Sequence, residues 1–188
     1  MSRAMVNVPD TLRRLRAYVD LEEPGNPLRD LWDRLHGLPG GKQLFSRFVG
    51  WLAPYTGTID FVVEELAPGS GRVVLRDERT VRNHLRSVHA IALANLAEVA
   101  ANVALVYSLP DEARFIVAGF CIDYLKKARG DVTATSRFEP PTDAQRREVP
   151  VEVELRDGSG AVVARATFRS LVGPKKKARL VEADADAR

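Results

Sequence analysis

The chain has 188 residues, 45% of them apolar and 28% charged, a composition typical of one globular domain with an added segment. A formal net charge of +3 is mild, and with no further signal for nucleic acid we expect no such partner. The single cysteine, Cys121, excludes an internal disulfide. Three scattered histidines form no zinc pattern, so we predict neither a metal site nor a cofactor.

The first 57 residues are predicted to form helices broken by turns, an extension in front of the main domain. Helical patterns cover 11–21, 28–38 and 42–53, and Pro- and Gly-containing stretches separate them. These N-terminal residues contain no apolar core of signal-peptide length, which favours a cytoplasmic protein. The pattern favours a cap packed on the main domain. The alternative is a lid or pocket wall built from aromatic residues, namely Trp32, Phe45, Phe48 and Trp51.

From residue 58 onwards, short alternating runs predict strands. The predicted strands cover 58–66, 71–77, 114–128, 131–139, 149–156 and 161–171. Gly130-Asp131 predicts a turn, and Asp157-Gly158-Ser159-Gly160 is a strong hairpin signal. The last residues, 174–188, have little to bury and are predicted to be disordered.

A long apolar helix is predicted over 87–109, between the second and third strands. His89, Asn95, Glu98 and Asn102 interrupt it, so it lacks the about 18 uninterrupted apolar residues of a membrane span. A helix that is apolar almost all round must be covered on most sides.

The order of elements predicts an α+β fold, in which one curved antiparallel sheet of about six strands wraps around the long central helix. Hairpin links between the last four strands favour antiparallel pairing. We therefore assign 1–57 to a helical extension, 58–173 to the main domain and 174–188 to a tail. Pairing of exposed sheet edges between copies would give a homodimer or homotetramer.

Glu98 is the single residue of the apolar helix that is charged at pH 7. A lone carboxylate in apolar surroundings is costly unless it is paired or used, which makes Glu98 a candidate working group. Asn102 follows one turn later on the same face, and Asn95 lies three residues before. The structural alternative is a carboxylate that is hydrogen-bonded across a dimer interface.

The spacing around this helix resembles a known family. Asn83 stands six residues before His89 and Glu98 nine after it, in the string NHLRSVHAIALANLAE, and IDYLKKARGDVTAT follows downstream. With the strand order, these strings resemble hotdog-fold acyl-CoA thioesterases of the phenylacetate-degradation type, over about residues 58–171, and in particular a poorly characterised, DUF4442-like branch. Where that family has His-Gly-Gly, this chain has His89-Ala90-Ile91, and the added side chains narrow the approach of a thioester to the backbone.

The resemblance implies roles for five residues in thioester hydrolysis. The N–H of Ala90, near the helix start, would stabilise the oxyanion, unless Ser87 caps the helix and uses that N–H. Asn83 would position the thioester carbonyl or fix the loop, and His89 would lie at the helix start. Glu98 would act as general base or nucleophile, and Asn102 would help to hold the water.

The distance along the helix indicates that Glu98 acts on a substrate held at the helix start of a different subunit. At ~1.5 Å per residue, Glu98 lies about 13 Å from His89 along one helix, too far to reach a carbonyl held there. In the resembling families, the acidic residue acts with the helix start of the partner subunit.

Basic residues flank the predicted site and suit the phosphates of coenzyme A. Arg82 and Arg86 precede the helix, and Lys126 and Lys127 follow the long strand. A solvated surface is the other explanation of these charges. The sequence therefore predicts a thioesterase that takes acyl-CoA or another acyl thioester. The alternatives are a non-catalytic protein that binds acyl-CoA or a lipid-like ligand, and a hotdog dehydratase, whose His-Phe-Pro-Gly-type sequence is absent.

Overall fold

The computed structural model describes residues 24–176. Three α-helices lie in this range, and two short 3₁₀ turns stand at Thr56–Thr58 and Arg79–Val81. The α-helices are α1 (Pro27–Leu35), α2 (Gly41–Leu52) and α3 (Ala90–Ser108). The helix predicted over 11–21 and the tail beyond Lys176 lie outside the described residues.

Six strands form one antiparallel sheet, which confirms the predicted α+β architecture. The strands are β1 (Phe61–Ala67), β2 (Ser70–Leu75), β3 (Ala113–Tyr124), β4 (Val132–Arg137), β5 (Arg147–Arg156) and β6 (Val162–Pro174). Their order across the sheet is β1-β2-β4-β5-β6-β3, so β1 and β3 form its two edges. The Asp157–Gly160 hairpin joins β5 to β6 as predicted, with the Gly160 N–H donating to the Asp157 carbonyl at 2.8 Å.

The position of β3 corrects one expectation from the sequence. Hairpin links between all of the last four strands would place β3 beside β4, but β3 pairs with β6 at the far edge. The strand also ends at Tyr124 rather than continuing to Ala128, because the N–H groups of Leu125 and Lys126 both turn to the carbonyl of Val163. The chain therefore crosses from one edge of the sheet back to its middle between β3 and β4.

Helix α3 lies in the concave side of the sheet, as its apolar surface requires. Eleven of its residues are buried, and they pack against the inward faces of the strands. By length and composition alone, α3 is the helix among residues 24–176 that is apolar enough to cross a membrane, but most of it is buried inside the protein. Its less buried stripe carries Ala94, Glu98 and Asn102, on the side that the sheet does not enclose.

The two N-terminal helices pack onto the core. Trp32 of α1 and Phe45 of α2 meet edge-to-face at 5.0 Å, and both belong to the main hydrophobic cluster. Ser46 Oγ accepts the N–H of Val63, which ties α2 to β1. These contacts favour the cap interpretation over a mobile lid, since neither Trp32 nor Phe45 has a free face.

Candidate functional site

A tight turn before α3 is built by Asn83. Its Oδ1 accepts the N–H of Leu85 at 2.9 Å, the N–H of Ser87 at 3.3 Å and the hydroxyl of Ser87 at 3.2 Å. Its backbone N–H donates to the Ser87 carbonyl, and the Arg86 N–H returns to the Asn83 carbonyl. The amide oxygen thus fixes the loop, one of the two roles predicted for Asn83.

Helix α3 begins at Ala90, three residues later than the sequence suggested. His89 is the N-cap, and its Nδ1 accepts the N–H of Ile91 at 3.1 Å. Ser87 is not the cap, because its hydroxyl is already directed to Asn83. No acceptor for the N–H of Ala90 lies among residues 24–176. This N–H therefore stands at the positive end of the helix, where a developing negative charge is stabilised.

A cavity of about 290 Å³ opens at this helix start. It brings together four of the predicted site residues, Asn83, Ala90, Lys126 and Lys127, with one residue that sequence reasoning did not single out, Tyr124. The remaining lining residues are Leu85, Ser87, Val88, Leu93 and Ala128. A second, 470 Å³ cavity adjoins it through the same two lysines and is completed by Arg129, Asp157 and Ser159. Together they form a groove that runs from the helix start to a basic surface.

Glu98 and Asn102 do not line this cavity in their own chain. Both are half-buried on the open stripe of α3, and Asn102 Nδ2 lies 3.5 Å from Glu98 Oε1. Asn102 Oδ1 is buried and has no hydrogen-bond partner among the described residues. Among the described residues, the Asn102 Oδ1 atom therefore has no partner beside the Glu98 carboxylate. Glu98 lies nine residues after the His89 cap.

The two predicted arginines are held in the loop in different ways. Arg82 donates from Nε and Nη2 to the carboxylate of Asp77, at 2.7 and 3.1 Å. This hydrogen bonding holds the pKa of Asp77 below its usual range. Asp77 also accepts the N–H of Gly130, so this ion pair joins the loop to the turn before β4. Arg86 has a φ of 56°, the left-handed region that disfavours a side chain. Substrate binding by both arginines stays a prediction, and for Arg82 the ion pair competes with it.

Tyr124 is the site residue that the sequence pattern concealed. It ends the edge strand β3, where it reads as one more member of an alternating run. The structure turns its hydroxyl onto the carbonyl of Ala90 at 3.0 Å, and burial raises the pKa of the phenol.

Among residues 24–176, β3 forms an edge of the sheet and carries exposed apolar side chains. Ile116 and Phe120 are 67% and 51% exposed, although Phe120 stacks on the buried Phe168 at 5.0 Å. Cys121 is exposed on the same strand. Unpaired strand edges with apolar side chains are surfaces that proteins normally cover. Among residues 24–176, no cluster of three or more His, Cys, Asp or Glu side chains is arranged to hold a metal.

The chain is similar to one protein family and to several solved structures. The family model described as a domain of unknown function (DUF4442) matches residues 41–172. A structural-genomics crystal structure is 31% identical with a TM-score of 0.68, covering 78% of this chain and 98% of its own. A Pseudomonas aeruginosa protein of unknown function, named a probable thioesterase, is 23% identical with a TM-score of 0.63, covering 73% and 97%. A thioesterase family protein from Silicibacter pomeroyi is 15% identical with a TM-score of 0.59, covering 69% and 96%. No curated protein matches the chain. The likenesses establish the hotdog fold.

Proposed function

The chain belongs to the DUF4442 family, and we propose that it is an acyl-CoA thioesterase, which hydrolyses an acyl thioester to the free acid and coenzyme A. The observation that carries the proposal is the Glu98–Asn102 pair on the open stripe of the core helix, combined with an unused N–H of Ala90 at the start of that helix. A carboxylate and an oxyanion donor are the two groups that thioester hydrolysis requires. The names of the thioesterase-type structural neighbours support the same activity.

In the proposed reaction, a water held by Glu98 and Asn102 attacks the thioester carbonyl carbon. Glu98 takes one proton from the water, the new C–O bond forms, and the carbonyl oxygen becomes an oxyanion that accepts the N–H of Ala90. When the tetrahedral intermediate collapses, the C–S bond breaks and Glu98 returns the proton to the departing thiolate. The other route is direct attack by Glu98, with an anhydride that water then hydrolyses.

The proposal requires two copies of the chain. About 13 Å of helix separates His89 from Glu98 at ~1.5 Å per residue, so one subunit would supply the helix start and the other the carboxylate. Within residues 24–176, the edge strand β3, with Ile116 and Phe120 exposed, and the open stripe of α3 offer a surface for such a homodimer. A homotetramer of two such dimers stays an alternative. The cytoplasmic location also stays a prediction.

The carrier end of the substrate would lie along the basic groove. Lys126 and Lys127 line both cavities, and Arg129 lines the outer one. A pantetheine arm that reaches from the Ala90 end would bring the coenzyme A phosphates to these cations. Arg86, exposed at the loop, would add a further charge.

Thioester hydrolysis over a panel of acyl chain lengths tests the activity, with release of free thiol as the readout. We expect Glu98→Gln and Glu98→Ala to lower kcat by about 10²–10⁴-fold, because proton transfer by a positioned group contributes that much. Glu112→Gln, an exposed change beyond the other end of α3, is the matched control and should keep the wild-type rate. A wild type that turns over no chain length, or a Glu98→Ala variant with full rate, would disprove the proposal.

A non-catalytic acyl-CoA-binding or lipid-binding protein is the second candidate, and Ile91 favours it. Its side chain is 56% exposed at the helix start, where the resembling enzymes have glycine. If this crowding prevents attack, intact acyl-CoA should bind without turnover, and Glu98→Gln should leave the Kd unchanged. Calorimetric titration beside the hydrolysis assay separates the two functions.

A further inference from the structure

Tyr124 and His89 hold the two ends of one peptide group. The hydroxyl of Tyr124 donates to the carbonyl of Ala90 at 3.0 Å, while the N–H of Ile91 donates to Nδ1 of His89 at 3.1 Å. The carbonyl and this N–H belong to the same planar unit, the peptide between Ala90 and Ile91. The first peptide group inside α3 is thus fixed from opposite sides, by the last residue of β3 and by the helix cap.

Hydrogen bonds that run in sequence through one peptide polarise one another. This series of hydrogen bonds runs from the Tyr124 hydroxyl through the Ala90–Ile91 peptide to Nδ1 of His89. Nδ1 must carry a lone pair to accept the N–H of Ile91. A neutral ring therefore has its proton on Nε2. The clamp consequently specifies both the orientation of the peptide and the tautomer of His89.

The clamp decides which donor remains for a ligand. The N–H of Ile91 is occupied, while the N–H of Ala90 has no acceptor among residues 24–176. Ala90 and Tyr124 line the same 290 Å³ cavity, and the Tyr124 side chain is 46% exposed there. A fixed Ala90–Ile91 peptide limits the rotation of Ala90, and so aims its own N–H.

We propose that Tyr124 is a positioning residue of the thioester site, which aims the N–H of Ala90 by clamping the Ala90–Ile91 peptide against His89. The inference rests on the proposed function for its catalytic consequence, but the clamp itself is a property of the free protein. Tyr124 does not touch the reacting atoms in this arrangement and acts through Ala90.

The test compares Tyr124→Phe with Tyr107→Phe. The two changes remove the same atom, but the Tyr107 hydroxyl donates to Asp33 at 3.2 Å near the opposite end of α3. In Tyr124→Phe we expect the amide hydrogen of Ile91 to exchange about 3- to 10-fold faster, the effect of one net hydrogen bond. The ring ¹⁵N shifts of His89 should report a mixture of tautomers. Tyr107→Phe should leave both signals unchanged.

The kinetic measurement separates positioning from general stabilisation. Tyr124→Phe should lower kcat about 3- to 10-fold with KM little changed, since a donor aimed at the oxyanion acts in the transition state. The double variant with His89→Ala should lose less than the product of the single effects, because both residues hold one peptide.

Each outcome decides one of the two claims. Unchanged Ile91 exchange and His89 tautomer in Tyr124→Phe would overturn the clamp whatever the activity. Faster exchange with unaltered kcat, or a fall in kcat equalled by Tyr107→Phe, would overturn the positioning role. Loss of folding in Tyr124→Phe would assign the hydroxyl to stability and overturn it too. A wild type without any thioester turnover, with the exchange result as expected, would disprove the proposed function and leave the clamp in place.

Discussion

At its C-terminal end, α3 is closed by side chains from the first helix of the described chain and its N-cap, whereas at its N-terminal end it opens onto a cavity. Asn26 Nδ2 donates to the carbonyl of Val106 at 2.7 Å, and Arg29 Nη1 donates to that of Leu109 at 3.1 Å. Lys175, 5% exposed, holds the carbonyl of Gly25 at 2.6 Å. The first two contacts supply donors to carbonyls at the C-terminal end of α3, and the third joins the two ends of the described chain beside them.

At the N-terminal end of α3, the backbone N–H groups are only partly paired. His89 satisfies the N–H of Ile91, but the N–H of Ala90 keeps no acceptor within residues 24–176. Its loop is held by Asn83 and by the Arg82–Asp77 pair, together with the buried side chains of Val81 and Val88. The two ends of α3 therefore differ: side chains from distant residues cap the C-terminal end, whereas the N-terminal end keeps one N–H without an acceptor among residues 24–176.

The largest effect on this comparison is expected at Asn26, which caps α1 with Oδ1 and closes α3 with Nδ2. Asn26→Ala should lower the free energy of unfolding by about 1–3.5 kcal/mol, the sum of a lost N-cap and a lost hydrogen bond to the Val106 carbonyl, which keeps the N–H of Leu109. Denaturant unfolding measures the loss, and kcat should not change. Asn26→Asp, which keeps the cap acceptor but has no N–H, should lose only the α3 share. Equal losses in the two variants would show that the α3 contact carries the whole effect.

At the open end, Asn83 should separate stability from activity. Asn83→Ala removes the acceptor of three hydrogen bonds and should cost about 1–3 kcal/mol of unfolding free energy. Asn83→Asp keeps the acceptor, so it should unfold like wild type, yet it has no N–H to offer a substrate carbonyl and should lower kcat/KM. Parallel unfolding and hydrolysis measurements check both statements. Full activity in Asn83→Asp would restrict Asn83 to fixing the loop.

Acid should weaken the loop at the open end through Asp77. The hydrogen bond from Arg82 lowers the pKa of Asp77 in the folded protein below its unfolded value. The pair therefore contributes its full stability above the unfolded pKa of about 3.9 and loses it as the pH falls through the folded value. The difference in Tm between wild type and Asp77→Asn should be widest near neutral pH and should close in acid. A difference that stays constant from neutral to strongly acidic pH would contradict this assignment.

The smallest effect is expected at Arg86, whose φ of 56° suits glycine. Arg86→Gly should raise the free energy of unfolding by up to about 1 kcal/mol, since the relief of backbone strain exceeds the added entropy of the unfolded chain. Arg86→Ala keeps the strained backbone and should show no gain. Both variants lack the guanidinium, so both should raise the KM for a phosphate-bearing carrier. An unchanged KM in both would remove Arg86 from the substrate site.

Local patterns were sufficient for most of the elements. The long apolar run predicted α3, and alternation with Gly-rich turns predicted six strands, because both signals depend on near neighbours. The start of α3 was misplaced because Ser87 and His89 are both able to cap a helix. Asn83 decides between them by taking the Ser87 hydroxyl. The place of β3 beside β6 was missed because adjacency across a sheet is not encoded in turn residues.

Some residues of the candidate site were likewise predicted from the sequence, and one was missed. Asn83, Ala90, Lys126 and Lys127 were predicted and line one cavity. The family-like motif around the helix start indicated the first two, and the basic residues that flank the site indicated the two lysines. Tyr124 was missed because its partner, the carbonyl of Ala90, lies 34 residues away along the chain.

The sequence alone determined that a buried helix would carry one carboxylate and that six strands would enclose it, because hydrophobic periodicity and turn chemistry act over a few residues. Tertiary structure alone decided which polar groups at the ends of that helix are paired. At the C-terminal end, Asn26 and Arg29 lie 80 residues before their partners in the chain and donate to the carbonyls of Val106 and Leu109. At the N-terminal end, Tyr124 and His89 form hydrogen bonds with the Ala90–Ile91 peptide, and the N–H of Ala90 has no acceptor among residues 24–176. Hydrogen bonds between distant residues depend on how the elements pack, and no local pattern specifies that.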